Sequence, residues 1–266
     1  MEKNENDKIL FKVNNLTHSF GGLRAVDDFN LSVKTGEIWG ILGPNGAGKT
    51  TAFNLVTGVY NPDSGNVILA HEEINGLPSH EIISKGIART FQNIRLFASM
   101  SVLDNVRTAG YCRLRYPLTS ALFRTARFRR EEDGLLRSAR EILEKFGLAG
   151  RMHESASSLS YGLQRKIEMA RALMSGPVLL LLDEPGAGMN PAELDDLAEL
   201  ILWMRKEFAL TIILIEHRMR LVMKLCEYVK VLNFGKTIFT GTLPELAECE
   251  AVAKAYFGEG HADAFD

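Results

Sequence analysis

Gly43-Pro44-Asn45-Gly46-Ala47-Gly48-Lys49-Thr50-Thr51 is the stretch that decides the fold. It fits G-x-x-x-x-G-K-[ST], a loop whose backbone wraps a polyphosphate. The run before it, Glu37-Ile38-Trp39-Gly40-Ile41-Leu42, is short, apolar and rich in strand formers, and predicts a buried strand. Residues 51–56 after it predict a helix, with Gly58 as its stop. Glycines let the backbone come close to phosphate oxygens, and a helix start adds N–H donors and the positive end of a dipole. Asn45, Gly46, Ala47, Gly48, Lys49, Thr50 and Thr51 are therefore the candidate nucleotide-binding residues. Lys49 is expected to reach the β- and γ-phosphates, and Thr50 to ligate Mg²⁺.

A second element answers the first. Val178-Leu179-Leu180-Leu181-Leu182 is wholly apolar and runs into Asp183-Glu184. A buried parallel strand delivers its last residues to the ligand crevice, where a carboxylate for Mg²⁺ is needed. Asp183 is the candidate metal residue, and Glu184 the candidate base that orients and deprotonates an attacking water. Asp183 follows Lys49 by 134 positions (183 − 49). The next apolar strand, residues 211–215, ends in Glu216-His217, which places His217 within reach of a γ-phosphate.

Farther out, residues 11–13, 29–33 and 66–69 read as strands between the turn signals Gly21-Gly22, Thr35-Gly36 and Asn61 to Gly65. Residues 78–85 predict a short helix and 88–91 a strand. Apolar residues recur at helical spacing in 101–111, 131–147 and 162–174. Strand and helix then alternate at 178–182, 191–206, 211–215, 217–226 and 228–233. A strand at 237–239 and a helix over 244–257 close the chain. Alternating strands and helices imply a mainly parallel α/β sheet. The helical middle, 92–174, is expected to be an insertion into a core made of 1–91 and 175–266.

Composition narrows the classes. The chain has 266 residues, 46% hydrophobic and 24% charged, with a net charge of −2. No apolar run is long enough for a membrane span, and the polar start, residues 1–8, is no signal peptide. Cys112, Cys226 and Cys249 fit neither a disulfide framework nor a zinc site, which points to a reducing cytosol. The charge balance argues against general nucleic-acid binding. One piece departs from it: residues 107–130 carry seven arginines and no Asp or Glu, then meet Glu131-Glu132-Asp133. That piece is either a solvated surface balanced by the acidic run or an electropositive face for a membrane or an acidic partner.

Leu159-Ser160-Tyr161-Gly162-Leu163-Gln164 resembles the signature motif of ABC ATPases, which hydrolyse ATP between two subunits packed head to tail. Its order, between the phosphate loop and Asp183-Glu184, fits the family. The resemblance implies an ABC fold with an N-terminal antiparallel β subdomain and an inserted helical subdomain. It implies that Ser160 and Gly162 hold a phosphate bound by the other subunit. It places Phe20 on the adenine ring, Gln92 beside Mg²⁺ or the attacking water, and His217 as the switch histidine. Asn190 stands where many members have Asp, Leu163 replaces the usual Gly or Gln, and Arg218 replaces a usual Asp. Ser19 to Val26, Ala88 to Phe97, the basic insertion and Ala255-Tyr256-Phe257-Gly258 are similar to the ATP-binding subunit of bacterial branched-chain amino-acid importers. That likeness implies two membrane permease subunits, a second ATPase subunit in a heterodimer, an external substrate-binding protein, and a place at the cytoplasmic face of the inner membrane. A urea or amide importer is the nearest competitor, and a soluble ABC ATPase acting on nucleic acid or ribosomes the next.

Overall fold

The computed structural model describes residues 9–249 and Val252. Among these, the residues up to Ile82 and from Val178 onward form one compact unit, and Ile83–Pro177 form a second.

In the first unit, β1 (Ile9–Phe20) pairs antiparallel with β2 (Leu23–Lys34) and with β4 (Ser64–Leu69), and β4 pairs with β5 (Glu72–Glu73). Both long strands exceed the three- to five-residue runs expected from the sequence. Register shifts near Leu16 and His18 let the ladder continue where apolar alternation stops, so the polar end of β1 still pairs. Phe11, Val13 and Leu16 bury against Val26, Phe29, Leu31 and Val33.

The larger sheet runs in the order β10 (Lys236–Thr242), β9 (Tyr228–Asn233), β3 (Ile38–Leu42), β8 (Thr211–Ile215), β7 (Leu179–Asp183). From β9 to β7 the strands are parallel, and β10 turns back antiparallel on β9. Every residue of β3, β7 and β8 is buried, as an apolar run covered on both faces requires. Helices α1 (Lys49–Val56), α7 (Pro191–Glu207), α8 (Met219–Leu225) and the short α9 (Leu243–Ala247) belong to this unit, with α2 (Ser79–Ser84) at its margin. The helix expected over 244–257 is described only at its start, and the stretch 255–258 lies outside the described residues. α7 begins where Asn190 accepts from the amides of Ala192 and Glu193 while Glu193 reaches back to the Asn190 amide. Pro191 at the first helical position completes the start.

The second unit holds the short strand β6 (Ile87–Arg89) and helices α3 (Val102–Ala109), α4 (Leu118–Leu122), α5 (Ala126–Lys145) and α6 (Tyr161–Met174). Val106, Ala139, Leu143, Ile167, Ala170 and Leu173 form its core. The buried Asn105 side chain donates to the carbonyls of Phe97 and Ser101 and accepts from the Phe97 amide, which pins the chain before α3. α5 starts five residues before the expected 131, because Thr125 caps it and the arginines that follow are good helix formers.

Candidate functional site

The parallel register brings three strand ends to one edge of the sheet. Ile41 stands opposite Ile215, and Ile215 stands opposite Asp183. The segments leaving that edge are the loop before Lys49, the pair Asp183-Glu184, and Glu216-His217. Such an edge is where open α/β sheets take their ligands.

The loop is shaped by glycine at two places. Gly43 has φ 145°, and a Cβ there would stand 2.2 Å from the Leu232 carbonyl oxygen. Gly48 has φ 100°, and a Cβ would stand 2.3 Å from the Ala25 carbonyl oxygen. No L-residue with a side chain fits either position without moving backbone. The Ala47 carbonyl accepts from the Gly235 amide at 3.0 Å, which fastens the loop from beneath. The first intrahelical bond of α1 is Ala52 N–H to the Gly48 carbonyl, so the N–H groups of Lys49, Thr50 and Thr51 have no helical acceptor. They form a ready anion site at the positive end of the helix.

Lys49 is buried, and its ammonium donates to the carbonyls of Gly43 at 2.7 Å and Pro44 at 2.9 Å. Burial pushes its pKa down, opposed by the carboxylates of Glu184 and then Asp183. Loop, carboxylates and ammonium thus share one electrostatic site. Asp183 is buried, and Glu184 is largely covered with its amide donating to the Ile215 carbonyl at 2.9 Å. Glu184 also has φ 45°, the left-handed region that a residue with a long side chain rarely adopts. His217 Nδ1 lies 3.9 Å from Glu184 Oε2, with the imidazole half exposed. His217 and Glu184 therefore face one solvent-reachable spot.

Glu216 is the residue that reading the chain left without a role. Fully buried, it accepts from the amides of Gly186 at 2.8 Å, His217 at 3.1 Å and Arg218 at 3.3 Å. Arg218 adds a second tie, donating to the Met189 carbonyl at 2.6 Å. The segments after β7 and β8 are thus bonded together, and the Arg218 charge lies against a carbonyl. Its only warning in the sequence is a carboxylate placed directly after an apolar strand, as Asp183 is.

Phe20, 46% exposed at the β1–β2 turn, meets His18 and Tyr60 edge-on at ring distances of 4.6 and 5.2 Å. The ring is held upright by aromatic neighbours and still offers a face. Asn45, Gly46 and Thr50 are exposed and Ala47 is buried. For a divalent cation the residues expected to serve, Thr50 and Asp183, offer a hydroxyl and a carboxylate. Among the described residues no group of three His, Cys, Asp or Glu forms a metal cage. Such a sparse oxygen set suits Mg²⁺, which takes its remaining ligands from water and phosphate.

In the second unit, Gln92 is exposed. Its carbonyl and that of Phe91 accept from the Arg165 guanidinium at 3.2 and 3.1 Å. Arg165 is ion-paired at 2.7 Å with Glu168, and both side chains are almost fully buried. Burial pushes the Glu168 pKa up against the pull of Arg165. Ser160 precedes α6 without capping it through its side chain, and Gly162 has open space around it. Both are exposed, so their donors are available to a ligand.

Comparison with known proteins finds likeness over most of the chain. A family model described as ABC transporter matches residues 26–187. The high-affinity branched-chain amino acid transport ATP-binding protein BraF of Pseudomonas aeruginosa is 44% identical over 94% of this chain and 98% of its own. The high-affinity branched-chain amino acid transport ATP-binding protein LivG of Escherichia coli K12 is 43% identical over the same shares. A crystal structure of an ATP-binding cassette of an ABC transporter in its ADP conformation superposes with a TM-score of 0.81 at 31% identity, covering 94% of this chain and 99% of that one.

Proposed function

The chain belongs to the ABC transporter family as one of its ATP-hydrolysing cassettes, and on that premise we propose that it drives import of branched-chain amino acids. The observation that carries the reading is the buried Lys49 ammonium, held by loop carbonyls beside Asp183 and Glu184. A cation placed there is ready for the β- and γ-phosphates of ATP. The first-turn amides of α1 orient the phosphate chain, and Phe20 takes the adenine. Thr50 and Asp183 would hold Mg²⁺, which when bound would offset phosphate charge. Glu184 receives a proton from the attacking water as its oxygen bonds to the γ-phosphorus and ADP leaves. His217, facing the same spot, orients the γ-phosphate. The roles given to Gln92, Ser160 and Gly162 rest on the resemblance of their motifs: Gln92 serves the cation and the water, and the other two act on ATP held by a second cassette.

The substrate follows from the names of the relatives. Leucine, isoleucine and valine are the cargo, and the cassette works at the cytoplasmic face with two permease subunits, a second and different cassette, and an external binding protein. No helix among the described residues is long and apolar enough to cross a membrane, which suits a motor docked on membrane partners. Deleting the gene should abolish high-affinity leucine uptake, and Lys49→Ala should fail to restore it. Unchanged leucine, isoleucine and valine uptake with loss of urea uptake would reassign the cargo to the urea or amide class.

A further inference from the structure

The arginine-rich piece folds into a helical hairpin whose charges are sorted. Glu131 accepts from Arg127 Nε at 2.9 Å and from the Arg115 amide at 2.8 Å. Glu132 takes Arg107 and the Tyr116 hydroxyl. The acidic run that balances the arginines in the sequence is thus largely spent on Arg107, Arg127 and the Tyr116 side of the hairpin. Arg124, Arg129 and Arg130 are exposed and have no carboxylate partner among the described residues. With Arg137, Ala126 and the one acid Asp133 they line a recess of about 470 Å³.

Beside them stand three large apolar side chains. Leu118 is 89% exposed, Leu122 77% and Phe123 75%. Leu118 and Leu122 are four apart on α4 and share a face. The hairpin that presents them is ordered. Amides of Phe123, Arg124 and Thr125 donate to the carbonyls of Thr119, Ala121 and Ser120, Arg124 turns the chain with φ 46°, and Thr125 caps α5. A fixed turn therefore holds apolar side chains out in water next to guanidiniums that pair with no carboxylate among the described residues.

We propose that the hairpin 117–130 is a membrane-surface anchor, with Leu118, Leu122 and Phe123 entering the headgroup–acyl boundary and Arg124, Arg129 and Arg130 pairing with anionic lipid phosphates. Charge complementarity argues for the lipid: three exposed guanidiniums match phosphate, and an interface of lipid tails accepts projecting side chains without a matching pocket. A protein partner would need concavities shaped to all three. The inference rests on a membrane location but not on the transported substrate.

The test is co-sedimentation of the full chain with vesicles of phosphatidylcholine alone or of phosphatidylcholine with phosphatidylglycerol, at low and at raised salt. The wild type should bind the anionic vesicles, release with salt, and ignore the neutral ones. Arg124→Gln/Arg129→Gln/Arg130→Gln should weaken partitioning by on the order of a hundredfold, since each basic residue near such a surface contributes about fivefold. Leu118→Ser/Leu122→Ser/Phe123→Ser should weaken it as well, and both variants should keep the wild-type helical signal and ATP hydrolysis. Equal binding to neutral vesicles, or unaltered binding by the variants, overturns the proposal. So does hairpin-dependent retention on permease-containing membranes without binding to anionic vesicles, which would make the surface a protein dock. Normal ATP hydrolysis by the assembled transporter without vesicle binding by the chain removes the anchor and leaves the function standing, whereas a chain that binds vesicles but supports no hydrolysis in the assembled transporter strikes the function alone.

Discussion

Replacing Arg165 by Met should loosen the whole second unit at one point. Arg165 is 1% exposed and Glu168 6%, and the guanidinium serves the Glu168 carboxylate, the Phe91 and Gln92 carbonyls and the Tyr161 hydroxyl together. Met fills most of the volume but leaves a buried carboxylate unpaired, which costs roughly 3–5 kcal/mol. Both tryptophans, Trp39 and Trp203, lie in the other unit, so their fluorescence is a poor probe. Amide hydrogen exchange across 161–174 reads the right helix, and protection there should fall by roughly a hundredfold to several thousandfold. Burial already raises the Glu168 pKa, and without Arg165 it should rise further. The native state then binds more protons than the unfolded one above the ordinary carboxylate pKa, so stability drops as pH rises. The loss should be smaller near about pH 5 than at neutral pH. Arg165→Met/Glu168→Leu should recover about 2 kcal/mol or more of the single-variant cost, because the orphaned charge is gone. A single-variant cost below about 1 kcal/mol, or a double equal to the sum of the singles, would refute the pair as the fastening of this helix.

Three further outcomes follow from the first unit. Glu184→Gln should bind ATP as the wild type does and lose turnover by at least about a hundredfold in the assembled transporter; near-normal turnover there would remove Glu184 as the base. Gly48→Ala should weaken nucleotide binding by at least about tenfold in a titration, since its Cβ meets the Ala25 carbonyl and the backbone cannot keep φ 100° cheaply; wild-type affinity would contradict the loop geometry. Lys230 is buried in β9, its ammonium on the Thr240 hydroxyl, and burial pushes its pKa down to about 8. The unfolded chain binds more protons from about pH 8 to about pH 10, so stability should rise there by about 2 kcal/mol, and Lys230→Met should flatten that rise in urea titrations.

What the chain declares openly is what depends on neighbours in sequence. The phosphate loop, the apolar strands at 178–182 and 211–215 and the helix at 191–206 all carry their period and their caps within a few residues. Asp183, Glu184 and His217 could be placed because each directly follows such a strand. Contacts made across the chain were hidden. Tyr60 and His18 stand 42 positions apart, and nothing in either announces the aromatic support of Phe20. Arg165 and Glu168 show in the sequence only as charges three apart on the helix expected over 162–174, and nothing there gives their burial or their partners at Phe91 and Gln92. The arginines of 107–130 could be counted, yet which of them the acids neutralise is decided by where α5 starts. That start turns on Thr125, a cap the apolar period does not reveal.

The left-handed backbone at Glu184 sets a limit on how this protein could be improved. At that φ a glycine or asparagine is at ease, while a glutamate gives up about 1 kcal/mol or more. A library screened for heat resistance alone would therefore drift toward Gly or Asn at 184 and discard the carboxylate proposed to carry the chemistry. Thermostable variants of this cassette are best sought elsewhere, with position 184 held fixed and activity selected alongside survival.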